Sequence, residues 1–162
     1  MNRIVYCSRN KQYYIEINEN IINEMILECE KATNYETGGI LVGKYSDDLR
    51  CAKINSICKA PTDSKRGRTS FMRGVRGLIE ALNKKWEESN EYYLGEWHFH
   101  PNFSSIPSKT DKIQMKNLAR DRNLKCPEPI LLVIGGNSIS GWNISFNLFL
   151  ENDMIELFKY HD

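Results

Sequence analysis

The sequence predicts an α/β domain in which a mixed β-sheet is flanked by helices, with residues 1–162 forming a single domain. Short apolar or alternating runs interleave with longer segments whose apolar residues recur at helical spacing. That interleaving is typical of a sheet that is covered by helices. A chain of 162 residues is also long enough to bury a hydrophobic core within one domain.

Strands are predicted where apolar residues run together, or alternate with polar ones, between turn residues. The clearest runs are GGILVGKY at 38–45 and PILLVI at 129–134. The predicted strands, in chain order, are 13–17, 38–45, 49–59, 92–99, 129–134 and 140–150. Gly135-Gly136-Asn137 is expected to form a turn, whereas residues 154–160 fit no single type of element.

The helical spacing of apolar residues predicts three helices. The first begins after Asn18 or Asn20, either of which can cap it. Its apolar face consists of Ile21, Ile22, Met25, Ile26 and Cys29. The second covers 72–88, after a polar loop at 60–70, and the third runs from 108 to about 123. The inner face of the second is expected to consist of Val75, Leu78, Ile79, Leu82 and Trp86.

Composition and charge narrow the class of protein. The formal net charge is +1, so bulk charge does not indicate a nucleic-acid partner. No apolar run approaches the roughly 20 residues that a membrane helix needs, and the N-terminal residues lack the apolar core of a signal peptide. We therefore expect a cytoplasmic protein with no membrane partner. Its cysteines are expected to be reduced and buried: Cys7, Cys29, Cys51, Cys58 and Cys126.

The stretch EWHFHPNFSSIPSKTD at 96–111 carries two of the three histidines of the chain. On a strand, His98 and His100 point to the same face, because successive side chains alternate. Asp111 follows in the first turn of the third helix. Two imidazoles and a carboxylate suit Zn²⁺, and three protein ligands leave a fourth position for water, as in catalytic zinc sites. Judged alone, however, Ser108 and Asp111 are better explained by helix capping.

A hydrolytic zinc site also needs a carboxylate that takes a proton from water without binding the metal itself. Glu36 directly precedes TGGILVG, whose glycines let another backbone come close. Glu96 lies on the same strand face as the two histidines and is the alternative. It could instead orient one of the imidazoles. The spacing of the residues leaves this choice open.

The complete pattern resembles the motif of the JAMM metalloproteases, a family also termed JAB or MPN+. The resemblance is carried by Glu36 with TGGILVG, by His98-x-His100-Pro101, and by Ser108-x-x-Asp111. It extends over residues 12–150, roughly the whole chain. The fold that it implies is the family's α/β domain, which is similar to that of cytidine deaminases.

The resemblance also implies a role for each residue of the motif. His98, His100 and Asp111 would bind Zn²⁺. Glu36 would act as general base toward water and then as general acid toward the leaving amine. Ser108 would donate a hydrogen bond to the tetrahedral oxyanion, a contribution of about 3–4 kcal/mol.

Members of the family cleave after the C-terminal glycine of ubiquitin or of a ubiquitin-like protein. This chain resembles small stand-alone bacterial members, such as the deconjugating enzymes of CBASS antiphage operons. Those enzymes work on a nucleotidyltransferase beside its activating and conjugating enzymes. The implied activity is a zinc-dependent isopeptidase or peptidase, with a ubiquitin-like protein or a conjugated C-terminal tail as substrate. Processing of a sulfur-carrier protein and a non-catalytic MPN-type scaffold are the alternatives.

Two other families share part of the pattern. RadC-like proteins carry a similar histidine segment, but they usually show Ser-Gly after the proline, where this chain has Asn102-Phe103. Nucleobase deaminases combine His-x-Glu with Pro-Cys-x-x-Cys. This chain instead has Cys126-Pro127-Glu128-Pro129, with no second cysteine, which argues against deamination.

A basic segment follows the third predicted strand, with Lys65, Arg66, Arg68, Arg73 and Arg76 within twelve residues. Such a run is explained either by solvated surface or by contact with an acidic partner or phosphate. The resemblance implies that this segment lies near the active-site face.

Overall fold

Eight strands close into one barrel-like sheet in the structure, a computed structural model that describes residues 2–161. The strands are β1 Arg3–Cys7, β2 Tyr14–Asn18, β3 Thr37–Tyr45, β4 Cys51–Cys58, β5 Lys65–Arg66, β6 Phe71–Met72, β7 Tyr92–Pro101, β8 Ile130–Asn137, β9 Gly141–Phe149 and β10 Met154–Lys159. The helices are α1 Glu19–Ala32, α2 Leu78–Ser89 and α3 Lys109–Arg120. The order around the barrel is β1-β10-β9-β8-β7-β3-β4-β2, and β5 and β6 form a separate hairpin.

Parallel and antiparallel pairs both occur in the closed sheet. β7 pairs with β8 in parallel, as β2 does with β4, and the other pairs are antiparallel. The predicted α/β class with a mixed sheet is therefore confirmed. Closure of the sheet was not part of the prediction, because it depends on pairings between strands that are distant in the sequence.

The prediction missed β1, β5 and β6, and it left β10 undecided. β5 and β6 have two residues each, which is too short for an alternation of side chains to become visible. In β1 only Cys7 is buried, so the strand carries no clear apolar face. β1 nevertheless pairs with both β2 and β10, and it is the strand that closes the barrel.

The predicted turn at Gly135-Gly136-Asn137 is wrong, because β8 continues through Asn137. Within the sheet, Gly135 pairs with His100 on one side and with Asn143 on the other. A Cβ atom at Gly135 would lie 2.4 Å from the backbone oxygen of Phe103. This glycine therefore permits a close approach of the segment that follows β7, rather than a reversal of the chain.

Helix α2 is shorter and more exposed than its apolar spacing predicts. It begins at Leu78 rather than at residue 72, because Phe71 and Met72 form β6. Three of the five residues predicted to face inward are exposed: Val75, Ile79 and Trp86. The spacing identifies an apolar stripe but does not tell whether the sheet covers it. Neither α2 nor any other helix in the described range has the length and apolarity needed to cross a bilayer.

All five cysteines are free thiols. Cys7, Cys29 and Cys126 are buried, as predicted, whereas Cys51 and Cys58 are only half-buried. The prediction that all five are buried is therefore wrong for these two, which lie at the two ends of β4.

The two faces of β7 contact different helices. Trp97 shares the main hydrophobic core with Met25 of α1. His98, one residue further on, points to the opposite face. Its partner in β8 is Val133, which packs with Met115 of α3. β7 therefore presents its histidines to α3.

Gly39→Ala is expected to lower the free energy of unfolding by about 3 kcal/mol, measured by urea denaturation. The new Cβ would lie 1.8 Å from the backbone oxygen of Cys58 and 2.8 Å from Nε1 of Trp97. These two atoms already form a hydrogen bond of 3.2 Å, so β3 would have to move away from its neighbours. In the control Gly77→Ala, the Cβ meets nothing within 4 Å and only the φ of +79° is unfavourable. A loss of about 1 kcal/mol is expected there, and equal losses would contradict the steric explanation.

Candidate metal and catalytic site

β7 and α3 bring the two histidines and Asp111 together. His98, His100 and Asp111 are 4%, 8% and 7% exposed, so the cluster is buried. Oδ1 of Asp111 lies 3.0 Å from Nδ1 of His98, and its Oδ2 lies 3.1 Å from Nε2 of His100. A single carboxylate therefore contacts both imidazoles.

Asp111 also takes part in the N-terminal cap of α3. The backbone N–H of Ser108 donates to Oδ2 of Asp111 at 2.8 Å, and the backbone N–H of Asp111 donates to Oγ of Ser108 at 3.1 Å. This reciprocal pair is a capping box. The two interpretations that the sequence left open are therefore compatible, because the cap holds Asp111 where it faces the histidines.

Glu36 reaches the same place from the start of β3. β3 and β7 are antiparallel, with Gly38 opposite His98, so Glu36 lies beside the end of β7 that carries His100. Oε1 of Glu36 is 3.9 Å from Nε2 of His100, and the Glu36 side chain is 14% exposed. This contact depends on the register of two strands that are about 60 residues apart, and no local sequence pattern indicates it.

Burial and neighbouring charges shift the pKa of three groups in the cluster. Burial alone would raise the pKa of Asp111, but hydrogen bonds from His100 and His98 hold it well below its ordinary value. Burial opposes protonation of His100, yet the bond to Asp111 raises the pKa of the imidazole overall. Burial raises the pKa of Glu36, against the attraction of His100 and with a contribution from the charge of Asp111. Glu36 therefore accepts a proton more readily than Asp111.

A cavity of about 350 Å³ opens onto Glu36 and Asp111. Ser108, Thr110 and Gln114, at the start of α3, also line it. The β5–β6 hairpin contributes Lys65, Arg66, Gly67 and residues 69–72. Most of the lining residues are polar or charged, and a volume of this size is typical of a site for a small ligand or a short peptide segment.

The hairpin is joined directly to the backbone of Glu36. The backbone N–H of Glu36 donates to the Gly67 oxygen at 2.8 Å, and the Glu36 oxygen accepts from Nε of Arg66 at 2.9 Å. Phe71 meets the ring of His98 edge to face, with the ring centroids 5.3 Å apart. The sequence did not identify this hairpin as part of the site. The family resemblance nevertheless implied that the basic segment, which includes the hairpin, lies near the site.

Glu96 does not orient an imidazole, so that alternative is wrong. Its two carboxylate oxygens accept hydrogen bonds from Nε of Arg73 and from the hydroxyl of Tyr93. Because Arg73 directly follows β6, this buried ion pair ties the end of the hairpin to β7. The alternation of side chains along the strand predicted the correct face for Glu96, but the residue that pairs with it comes from a distant part of the chain.

The donor set of the cluster fits a zinc ion. At a zinc–ligand distance of about 2.0–2.1 Å, two ligands of a tetrahedral ion lie about 3.3 Å apart. The separations of 3.0 and 3.1 Å between the imidazole and carboxylate donors are only slightly shorter. Within residues 2–161, no group of three or more His, Cys, Asp or Glu side chains has a geometry that could hold a metal ion in this conformation.

Comparison with known proteins shows which family the chain belongs to. The family model for prokaryotic homologs of the JAB domain matches residues 18–147. The chain belongs to this family. The matched range contains Glu36, both histidines and Asp111, so the predicted family is confirmed by a match that includes every residue of the candidate site.

Two relatives of this JAB domain carry names of hydrolases. A protein of Enterobacter hormaechei, named CD-NTase/cGAS isopeptidase, is 39% identical over 150 residues, which are 93% of this chain and 83% of the relative. A probable metalloprotease of Sinorhizobium fredii is 27% identical over 125 residues, which are 75% of this chain and 76% of the relative.

The fold of this JAB domain is also found in a solved structure. A protein of Desulfitobacterium hafniense, determined in solution, superimposes with a TM-score of 0.65 over 86% of this chain and 87% of its own. The two sequences are 20% identical, so the likeness concerns the fold alone.

Proposed function

We propose that this JAB domain is a zinc-dependent isopeptidase that releases a protein joined to another through its C-terminal glycine. One observation carries the proposal: Glu36 and Ser108 line the same cavity as Asp111, whose carboxylate contacts both histidines. A proton acceptor, a hydrogen-bond donor and the carboxylate that contacts both imidazoles therefore converge on a space that a peptide segment can enter.

His98, His100 and Asp111 would hold the zinc ion. Bound there, zinc supplies a Lewis acid that polarises the scissile carbonyl and makes water more acidic. The strand fixes the two imidazoles and the capping box fixes the carboxylate before any ion binds. Little conformational entropy would then be lost on binding.

Glu36 would take a proton from the attacking water on its carboxylate and later return it to the leaving amine. At 3.9 Å from Nε2 of His100, the carboxylate lies beside the ligands without forming a hydrogen bond to them. Its raised pKa suits a group that must both accept and return a proton.

Ser108 would donate a hydrogen bond from its hydroxyl to the carbonyl oxygen as that oxygen gains negative charge. A lone pair of Oγ accepts the backbone N–H of Asp111 at 3.1 Å, which orients the hydroxyl and leaves its proton for the substrate. The same hydrogen bond belongs to the cap of α3, so the donor is positioned by the fold of the helix.

The shape of the cavity suggests an extended tail as substrate. The β5–β6 hairpin offers a strand edge on one wall, and an extended peptide can add to such an edge through main-chain hydrogen bonds. A cavity of about 350 Å³ would accept glycine residues next to the scissile bond more easily than residues with larger side chains.

The isopeptidase name of the Enterobacter hormaechei relative supports deconjugation as the reaction. By that similarity, we propose a conjugated CD-NTase, with its C-terminal tail, as the substrate. Processing of a sulfur-carrier precursor uses the same chemistry on a peptide bond and is the second candidate. A non-catalytic scaffold has no observation in its favour, because every residue of the motif is present.

Cleavage of two isopeptide-linked conjugates tests the proposal. In the first, a small protein ending in Gly-Gly is joined to the lysine side chain of a fluorescent peptide, and in the second, Phe replaces the penultimate Gly. With zinc present, we expect release of the peptide from the first conjugate and at least about 100-fold slower release from the second, because the added side chain meets the cavity walls.

The two conjugates separate the possible failures of the proposal. If neither is cleaved, while a peptide-bonded fusion of the same tail is cleaved, the activity is precursor processing. If none of the three is cleaved, the catalytic proposal is wrong. Equal rates for the two conjugates would contradict the narrow cavity.

A further inference from the structure

We propose that the basic rim of the cavity, defined as Lys65, Arg66 and Arg68, selects substrate tails that carry acidic residues shortly before the terminal glycines. The inference rests on the proposed function and adds a substrate class to it. The inference concerns substrate specificity. It gives a role to a charged segment that takes no part in the proposed hydrolysis.

The first observation is an excess of positive charge in one segment. Residues 60–76 hold five Lys or Arg residues and one acidic residue, Asp63, whereas the whole chain has 22 basic and 21 acidic residues. The Asp63 carboxylate accepts hydrogen bonds from the backbone of Val75 and Arg76, so it is occupied within its own loop. Arg73 is paired with the buried Glu96. The four other cations of the segment, Lys65, Arg66, Arg68 and Arg76, have no carboxylate within 4.0 Å among residues 2–161, and the first three of them form the rim.

The second observation is the position of these cations. Lys65 and Arg66 line the cavity that contains Glu36 and Asp111, and Arg68 lies in the exposed turn of the same hairpin. Nε of Arg66 is held by the Glu36 oxygen at 2.9 Å, which anchors the guanidinium at the cavity. Its two terminal nitrogens donate to no acceptor in the described part of the chain. A guanidinium held in this way is well suited to a carboxylate, which it can bind with two parallel hydrogen bonds.

The third observation is the asymmetry of the walls. The α3 wall contributes neutral polar side chains, Thr110 and Gln114, so the positive charge lies on the hairpin side only. Glu36 and Asp111 lie at the catalytic end and would repel an acidic residue placed next to the scissile bond. Consecutive residues of an extended tail advance about 3.3 Å each, so the third and fourth residues before that bond lie roughly 10–13 Å from it, where Glu36 and Asp111 repel them only weakly.

Three conjugates that differ only at those two tail residues test the inference. Asp-Asp, Asn-Asn or Lys-Lys precedes a common Gly-Gly end, and the carrier and the fluorescent peptide stay the same. For the wild-type protein with zinc, we expect kcat/KM to fall in the order Asp, Asn, Lys, with at least about a ten-fold difference between Asp and Lys. The difference should shrink in about 0.5 M NaCl, because exposed charges are screened.

Charge reversal in the protein provides the matched comparison. Lys65→Glu lowers the charge of the rim from +3 to +1, so the ratio of kcat/KM between the Asp and the Lys tail is expected to shrink at least about three-fold. Lys44→Glu makes the same change of net charge near the other end of β3, about 23 Å from Thr37 along the strand, and should keep the wild-type ratio. Arg66 is unsuitable for this comparison because its side chain holds the backbone of Glu36.

Equal kcat/KM for the three tails, or an Asp-to-Lys ratio that Lys65→Glu leaves unchanged, would overturn the inference and leave the proposed function intact. Absence of cleavage for all three would instead contradict the proposed function. In that case, the dissociation constants of the three fluorescent conjugates, measured by anisotropy, still decide the inference, since equal constants overturn it and tighter binding of the Asp tail supports it.

Discussion

Glu36→Gln is expected to reduce hydrolysis of a Gly-terminated conjugate by about 10³-fold or more, while the protein keeps its fold and its zinc content. Glutamine matches the shape of glutamate but cannot take a proton from water at neutral pH. The Glu36 carboxylate stands 3.9 Å from Nε2 of His100 and accepts no hydrogen bond from another residue within 2–161, so the loss should appear in kcat. Single-turnover cleavage and zinc content would be measured together.

The control for this prediction is Glu24→Gln, which makes the same change at an exposed position of α1 and should leave the rate unchanged. A Glu36→Gln protein that retains more than about one tenth of the wild-type rate would exclude Glu36 as the general base. A protein that loses zinc as well as activity would indicate that Glu36 is a ligand.

Asp111→Ala is expected to remove both the zinc and part of the stability. Wild-type protein purified with zinc should contain about one ion per chain, and the variant should contain almost none, because a three-ligand site loses its only carboxylate. In the metal-free protein, we expect the free energy of unfolding to fall by about 3 kcal/mol, since the side chain contacts two buried imidazoles and the backbone of Ser108.

The stability difference between wild type and Asp111→Ala should depend on pH in a defined direction. The lowered pKa of Asp111 stabilises the fold above the ordinary carboxyl pKa of about 4, and this contribution is lost as the pH falls through the folded value. The raised pKa of His100 stabilises the fold below about 6.5, and this contribution is lost as the pH rises through the folded value. The difference should therefore be largest between about pH 4 and 6.5.

Asp121→Ala removes a carboxylate at the other end of α3 and serves as the control. It should lower the free energy of unfolding by less than about 1 kcal/mol. Full zinc content in the Asp111→Ala protein would contradict the assignment of Asp111 as a ligand. No zinc in the wild type, even after supply of the ion, would leave only the capping role for Ser108 and Asp111.

Features that depend on neighbours in the sequence were predictable. The common face of His98 and His100 follows from the period of a strand, and the cap of α3 follows from the Ser-x-x-Asp spacing. Glu36 was favoured over Glu96 as the base only through the family resemblance, because the approach of Glu36 to His100 is set by the register of β3 against β7. No local pattern contains that register.

Features that depend on distant partners were missed or misjudged. Glu96 has its salt bridge with Arg73, 23 residues away, so strand parity could give its face but not its role. The hairpin around Gly67 has strands of two residues, which leave no periodic signal. Helix α2 has the spacing of an amphipathic helix, yet Ile79 and Trp86 are exposed because the closed sheet covers little of it.

The shared use of the Asp111 carboxylate has an evolutionary consequence. One acceptor oxygen serves both the start of α3 and an imidazole, so a mutation to Asn could keep the helix cap while weakening the affinity for a cation. A lineage under pressure to bind partners rather than to cut them could lose hydrolysis through one such substitution and keep its architecture. A single substitution at Asp111 would therefore separate an inactive domain from an active one. It would abolish the proposed hydrolysis before it unfolds the protein.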